Sequence, residues 1–382
     1  MGSRAVSRKQ RKHTLDQLRI LEIGEFRMFK GVLPGQTTRF STTRRIEPGG
    51  PGERPFDLQA LVFTLRALRA GLFDLVVCYA PATGIRKPGE GAALGLVRRL
   101  VTLLFRFQRL GTQAMRWSTP TPIAALDYAD EPHIGRHAFF LLERSTLYFK
   151  RGLPQDATKA FLGPFSPFPS LPSIHRSDLY RRNASKLLPI SVGIPDATLA
   201  DLPPVPGEKL TDLFFSGACD HSSVRQRGRR LLETLRERGV RVELCEGGLA
   251  RGEYLRRAAG AWLAWSPEGY GWDCFRHYEA LAAATVPVIN RPAVQRYRPL
   301  IEGRHCRYYD PEGDDLLRVV VDALRDRESL ARIAAAGREH VLKHFTHRAI
   351  CTHIAASCGV LSDEGTSGED GSGGHVGRGK ET

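Results

Sequence analysis

The chain is short of acidic residues and of methionine, and it has no long apolar run. Its 382 residues hold 41 Asp plus Glu against 56 Lys plus Arg, a net charge of +15, and 3 Met. The acidic deficit favours anionic partners without choosing among nucleotide, nucleic acid and membrane surface. No apolar stretch approaches the roughly 20 residues that a bilayer-spanning helix needs, and the basic start MGSRAVSRKQRKH is followed by no signal-type apolar core. The seven cysteines (Cys78, Cys219, Cys245, Cys274, Cys306, Cys351 and Cys358) form no CxxC pair and no spacing with His that suits zinc. They read as reduced residues of a cytoplasmic protein. Aromatics are not interleaved with the basic clusters, which argues against a nucleic-acid partner.

What is present is enough apolar residue, 42%, for packed cores, in a chain long enough for two domains. Residues 1–13 and 361–382 are expected to be disordered, since their Gly, Ser and charged composition buries too little to offset chain entropy. RILEIGEF reads as a strand, and the Gly/Pro/Thr-rich stretch through Arg54 as a long loop. FDLQALVFTLRALRAG has helical apolar spacing, closes at Gly71 and leads into the strand FDLVVCYAP. A basic helix at 96–110 follows, then the strands TPIAALD and STLYFK. Prolines crowd between Lys159 and Pro206, as at a junction. Beyond Lys209 strand and helix alternate regularly. The pattern predicts an α/β chain: a first Rossmann-like domain over 14–200, a linker over 201–209, a second such domain over 210–345, and a final helix over 346–360 that crosses back.

Two strand-to-helix turns of the second domain could hold an anion, because backbone N–H groups and a helix N-terminus point outward there. In the first, Gly217 ends a strand, Ser222 or Ser223 caps the helix, and Arg225 lies in its first turn with Arg229 one turn on. A solvated basic helix with an ordinary cap has the same pattern. In the second, Gly269 and Gly271 allow close backbone approach, Asp273 is a candidate cap, and Glu279 stands two turns along, ready to accept ribose hydroxyls or to pair with Arg276. Trp272 is a lid or, more commonly for its type, packing. From the first domain, Asp127 and Asp130 are the carboxylates nearest a strand end, with His133 and His137 after them and Glu25 as a weaker candidate. Loop capping explains the same residues. Lys150 and Arg151 either face the cleft or close a strand. The basic helix with Arg98, Arg99, Arg106 and Arg109 suits peripheral contact with an anionic membrane, or an ordinary Rossmann helix with snorkelling arginines.

AWLAWSPEGYGWDCFRHYEALAAATVPVINRP resembles the C-terminal domain of GT-B glycosyltransferases. With DLFFSGACDHSSVRQRG and EGRHCRYYDPEG, it resembles the CgeB-like, spore-maturation branch of the group-one enzymes. The resemblance implies two Rossmann-like domains facing a cleft and retaining transfer of a sugar from a nucleotide-diphosphate donor to an unidentified acceptor. It implies that Glu279 holds the ribose, that Arg225 meets the diphosphate and that Gly269 and Gly271 form the glycine loop; Gly217, Ser223 and Arg276, from the reading of the two turns, are donor-site candidates beside them. Asp127 and Asp130 would then serve the acceptor. The family separates its paired glutamates by seven residues, whereas Glu268 and Glu279 stand farther apart, so Glu268 is not assigned the first glutamate's role. No Asp-x-Asp occurs, so no cofactor and no metal are expected, the donor itself being a substrate. Two alternatives of the same fold stay open: a nucleotide-sugar epimerase, and a non-catalytic glycan-binding or scaffold protein.

Overall fold

The computed structural model describes residues 13–42, 53–80, 111–117, 119–135, 138–161, 177–220, 222–245, 247–313 and 315–362. Residues 1–12 and 363–382, the segment 96–110 read as a basic helix, and His137 lie outside the described residues; His13 and Leu361, expected to be disordered, instead form a parallel bridge, with Ser362 N donating to His13 O at 3.1 Å. Two parallel sheets organise the rest. The first runs β3-β2-β1-β4-β5-β6-β7, with β1 at Ile20–Gly24, β2 at Thr37–Ser41, β3 at Glu53–Pro55, β4 at Leu75–Tyr79, β5 at Ile123–Asp127, β6 at Leu147–Lys150 and β7 at Leu187–Pro189. The second runs β12-β11-β10-β8-β9, with β8 at Thr211–Ser216, β9 at Val242–Cys245, β10 at Ala261–Trp265, β11 at Val286–Asn290 and β12 at Arg307–Tyr309. Strands β1, β4 and β5 are buried along their whole length, as a sheet covered on both faces requires, and this is why they appear in sequence as continuous apolar runs.

The stretch through Arg54 is no long loop. It holds helix α1 (Met28–Val32) and the strands β2 and β3. Helix α1 has no side-chain cap of its own; the buried Glu22 of β1 accepts from the Phe29 and Lys30 amides at 3.0 and 2.9 Å. Arg39, buried in β2, ion-pairs with Glu53 of β3. Charged residues at inward positions hide the strand pattern. Helix α2 (Leu58–Ala70) starts where Asp57 accepts from Ala60 N and ends at Gly71, whose φ of 60° only glycine adopts at little cost. Helix α3 (Phe139–Arg144) fills the gap between β5 and β6, and α4 (Ser177–Asn183) precedes β7.

The second domain follows the alternation expected of it. Its helices are α5 (Ala197–Ala200) in the approach, α6 (Ser223–Glu237), α7 (Arg251–Ala259), α8 (Phe275–Ala282), α9 (Leu316–Leu324) and α10 (Arg327–His344). Helix α11 (His347–Ser357) then packs on α1 of the first domain. The crossing is held by the bond from Ile194 N to Phe345 O at 2.8 Å and by the Arg348–Asp16 ion pair. One apolar core therefore runs through both domains, joining Ile20, Phe29 and Leu126 to Leu281, Phe345, Ile350 and Ile354. No described helix is long and apolar enough to cross a membrane.

Candidate active site

A cavity of about 790 Å³ opens between the C-terminal edges of the two sheets. The first domain supplies Asp130 and Arg151, and the second supplies Arg225, Arg251, Gly269, Arg276 and Glu279. In the second sheet β9 winds to one side of β8 and β10 to the other. The crevice at that reversal is where open α/β sheets bind ligands. Both turns singled out in the sequence end there.

The turn after β10 is pinned before any ligand arrives. Asn290, at the end of β11, accepts from the Glu268 amide at 2.8 Å and donates to the Glu268 carboxylate at 2.9 Å. Trp272 donates its indole N–H to the Asn290 carbonyl at 2.8 Å. His277 is wholly buried; its Nε2 donates to the Trp272 carbonyl at 2.8 Å, which leaves Nδ1 to accept from the Ser266 hydroxyl at 2.7 Å. Burial pushes its pKa down to about 3, so the ring stays neutral. Trp272 is thus packing. Glu268 is spent on Asn290 and does not line the cavity.

Arg225 ties the two turns together. Its guanidinium donates to the Glu268 carbonyl at 2.8 Å and to the Ala218 carbonyl at 3.0 Å. Burial, then the neighbouring charge of Arg276, lowers its pKa. The helix cap is Ser222, which accepts from Arg225 N, whereas Ser223 is exposed and outside the cavity lining. Assignment of Ser223 to the site is corrected accordingly. Arg229 turns away to pair with Glu233 at 3.5 Å.

Gly217, at φ 153°, has no room for a side chain, because a Cβ there would stand 2.5 Å from an Arg276 nitrogen. The first amide cup is therefore roofed by a guanidinium. Among the described residues Arg276 makes no hydrogen bond or ion pair; its partner is the Phe215 ring, 6.0 Å away. Glu279 lies 4.0 Å from Arg251, and burial raises its pKa despite the pull of Arg251 and Arg276. Tyr270 and Phe275 stand exposed at the rim.

The two acidic candidates of the first domain separate. Asp127 is buried, accepting from the Tyr148 hydroxyl at 2.8 Å and facing Lys150 Nζ at 3.4 Å. It does not face the cleft, and its role as a base is corrected on that ground: a carboxylate already holding a buried ammonium and a phenol has no open side. Asp130 does line the cavity. It pairs with Arg151 at 2.9 Å and rests on Gly271, where a Cβ would come 2.9 Å from its carboxylate oxygen. Gly271 thus serves contact between domains, not a ligand. His133 and Glu25 are absent from the lining.

Sequence reasoning missed the residue that joins the halves. Asp273 is not the helix cap, which is Cys274. It is buried, accepts from Val192 N at 2.8 Å and from the Tyr278 hydroxyl, and faces Arg151 Nε at 3.6 Å. Arg151 donates to the Tyr128 carbonyl at 3.2 Å and to the Asp273 carbonyl. The only hint in sequence was a carboxylate and an arginine at two loop starts, a pairing that nothing local can reveal.

Residues 225–356 match the glycosyl transferase-like family model. The fold of the chain is that of an α-glucosyltransferase solved with UDP and a 13-mer DNA, at TM-score 0.53 and 9% identity, over 89% of this chain and 99% of that one. The same α-glucosyltransferase with a mismatched 13-mer gives TM-score 0.50 at 10% identity, over 90% and 100%. HepE of Anabaena, solved with UDP, gives TM-score 0.49 at 11% identity, also over 90% and 100%. No curated protein sequence matches. The chain thus has the two-domain α/β architecture of the GT-B fold.

Proposed function

We propose that the enzyme takes a nucleotide-diphosphate sugar into the cavity between its sheets and passes the sugar, with retention of configuration and without a metal, to an acceptor presented by the first domain. The observation that carries this is Arg276, an unpartnered guanidinium among the described residues, lying across Gly217 beside the buried Arg225. The leaving group of the transfer is a nucleoside diphosphate, and its growing charge is met by Arg276, by Arg225 and by the positive end of α6. Two fixed guanidiniums supply the compensation that a divalent cation would otherwise give. Glu279, one turn beyond Arg276, accepts from the ribose hydroxyls. Asp130, which lines the cavity from the first domain, is the carboxylate that this reading gives to an acceptor hydroxyl.

The resemblance of the loops 212–228, 261–280 and 302–313 assigns the chain to the CgeB-like branch, and that assignment and retention rest on it together. The α-glucosyltransferase of the same fold was solved with UDP, which makes UDP the first carrier to test. A thermal-shift panel of UDP, GDP, ADP and TDP in the presence of EDTA is expected to show one carrier raising Tm, because a ligand of the folded state stabilises it by mass action. Glu279→Ala should weaken that shift while leaving the Tm of the free protein near wild type. If no carrier moves Tm, the donor assignment fails; if one acts only after a divalent cation is restored, metal independence fails.

A further inference from the structure

The chain crosses between its halves twice, after β7 and before α11, and the two crossings lie side by side. Ile194 bridges Thr346 in parallel, and the His347 amide donates to the Ile194 carbonyl at 2.9 Å. Pro195 from one crossing and His347, the first residue of α11, from the other both line the cavity between the sheets. Arg251 neighbours His347 and lies 4.0 Å from Glu279, so the histidine stands at the Glu279 end of that cavity. Nothing in the donor reading uses it.

One nitrogen of the ring serves as a clasp. A carbonyl can only accept, so the 3.2 Å contact with the Val192 carbonyl puts a proton on Nε2. Val192 is itself held, its amide donating to the buried Asp273 at 2.8 Å. The neutral ring then has Nδ1 as an acceptor, and among the described residues no donor meets it. Three charged groups surround the ring: Asp196 ahead of α5, Arg251 at the start of α7, and Arg348 next along α11. Arg348 is committed elsewhere, its amide to Asp196 at 3.0 Å and its guanidinium to Asp16. Burial lowers the pKa of His347; the Val192 bond and Asp196 oppose this and Arg251 adds to it, so the ring is neutral at pH 7. A clasp needs only Nε2. An acceptor left open on a cavity wall selects a ligand group that donates.

We propose that His347 is a specificity residue for the nucleotide carrier, its Nδ1 accepting a hydrogen bond from a hydroxyl or N–H of the nucleoside half. The inference rests on the donor reading above and deepens it. Oxygens of an ionised phosphate only accept, so a neutral Nδ1 faces the nucleoside and leaves the diphosphate to Arg225 and Arg276. The helix that crosses back to the first domain thereby takes part in reading the ligand of the second.

Isothermal titration of the full chain with UDP, GDP, ADP and TDP, from about pH 8 down to about pH 5, tests this. At the upper end His347→Ala should bind the carrier that wild type binds about tenfold more weakly, the scale of one hydrogen bond. His347→Gln should bind it nearly as well, because its amide can donate to Val192 and accept from the carrier. On acidification the ring loses its acceptor and is repelled by Arg251, so wild type should weaken relative to His347→Gln as pH falls through the lowered pKa of the ring. Glu279 and the phosphate of the carrier titrate alike in both proteins, so the difference isolates the ring. Protonation leaves the Nε2 bond to Val192 intact, and a mere clasp therefore predicts no such difference. If His347→Ala does not fold, the profiles of wild type and His347→Gln decide alone. Equal affinity of His347→Ala and wild type, parallel pH profiles of wild type and His347→Gln, or a relative gain by wild type in acid would each overturn the proposal, the last by placing a phosphate at the ring. Each of these leaves the donor reading standing, because a carrier is bound. If none of the four binds wild type, the donor reading fails and this inference falls with it.

Discussion

Two guanidiniums that line the cavity between the sheets, Arg225 and Arg276, look alike in sequence and have different surroundings. Arg225 is a structural member, bonded to the carbonyls of both turns, so replacing it damages the loops as well as the site. Among the described residues Arg276 has no such bonds. Arg276→Ala is expected to weaken UDP binding roughly 30-fold, from about 2 kcal/mol for a charge-assisted contact, and to leave Tm of the free protein unchanged; isothermal titration and a melting curve read the two quantities separately. For Glu279 the sign of a pH effect can be worked out. Burial raises its carboxyl pKa in the folded chain, so the folded state binds the proton more tightly than the unfolded one. Stability therefore falls as pH rises from the ordinary glutamate value through the folded value, and the full cost stands above it. Glu279→Gln should raise Tm at neutral pH and lose that advantage below the ordinary glutamate range. An equal gain at every pH would show that the charge is not its cause.

Helix α6 and strand β10 meet at a point that helix propensity would misjudge. Gly228 is in the interior of α6, where alanine would favour the helix by about 1 kcal/mol. A Cβ there would stand 2.2 Å from the indole of Trp265, which is buried and anchored through Nε1 to the Tyr309 hydroxyl at 3.2 Å. Overpacking of this kind costs about 1–3 kcal/mol. Gly228→Ala should therefore lower the urea midpoint; a rise would mean that Trp265 moves freely. The same elements explain why the second domain was legible in advance. Strands β8, β10 and β11 are short apolar runs, and α6 has a cap and a closing Gly239 at φ 80°, all of them local signals. The β2 and β3 strands were not legible, since Arg39 and Glu53 carry the chemistry of surface residues and become inward-facing only because each neutralises the other.

The domains are held in register by Arg151 and Asp273, with Val192 of the connecting segment as third partner. Removing one member of a buried pair costs about 3 kcal/mol, because the other charge is left without compensation. Arg151→Met should thus destabilise the chain by about that amount in urea unfolding, and adding Asp273→Asn should recover part of the loss. Simple additivity of the two changes would show that they do not act as a pair. Gly193, at φ 55°, lies against Phe345 and Ile350, where the chain passes beneath the returning helix. The glycine loop beside the cavity is therefore positioned in part by the first domain, through Asp130 on Gly271 and Arg151 on Asp273.

Apolar periodicity, caps and turn glycines are properties of neighbouring residues, and from them the amino-acid order alone determined two α/β halves, the second with two strand-to-helix turns that, with Glu279, border the cavity. Which charges are buried, and against what, depends on residues far apart in the chain that meet only when it folds. That is why Asp127 proved to be the partner of Lys150, Asp273 a link between domains in place of a helix cap, and Arg276 the roof of the Gly217 turn. Only the folded chain could decide these, because a charge can leave water only where its counter-charge or hydrogen bonds are already waiting.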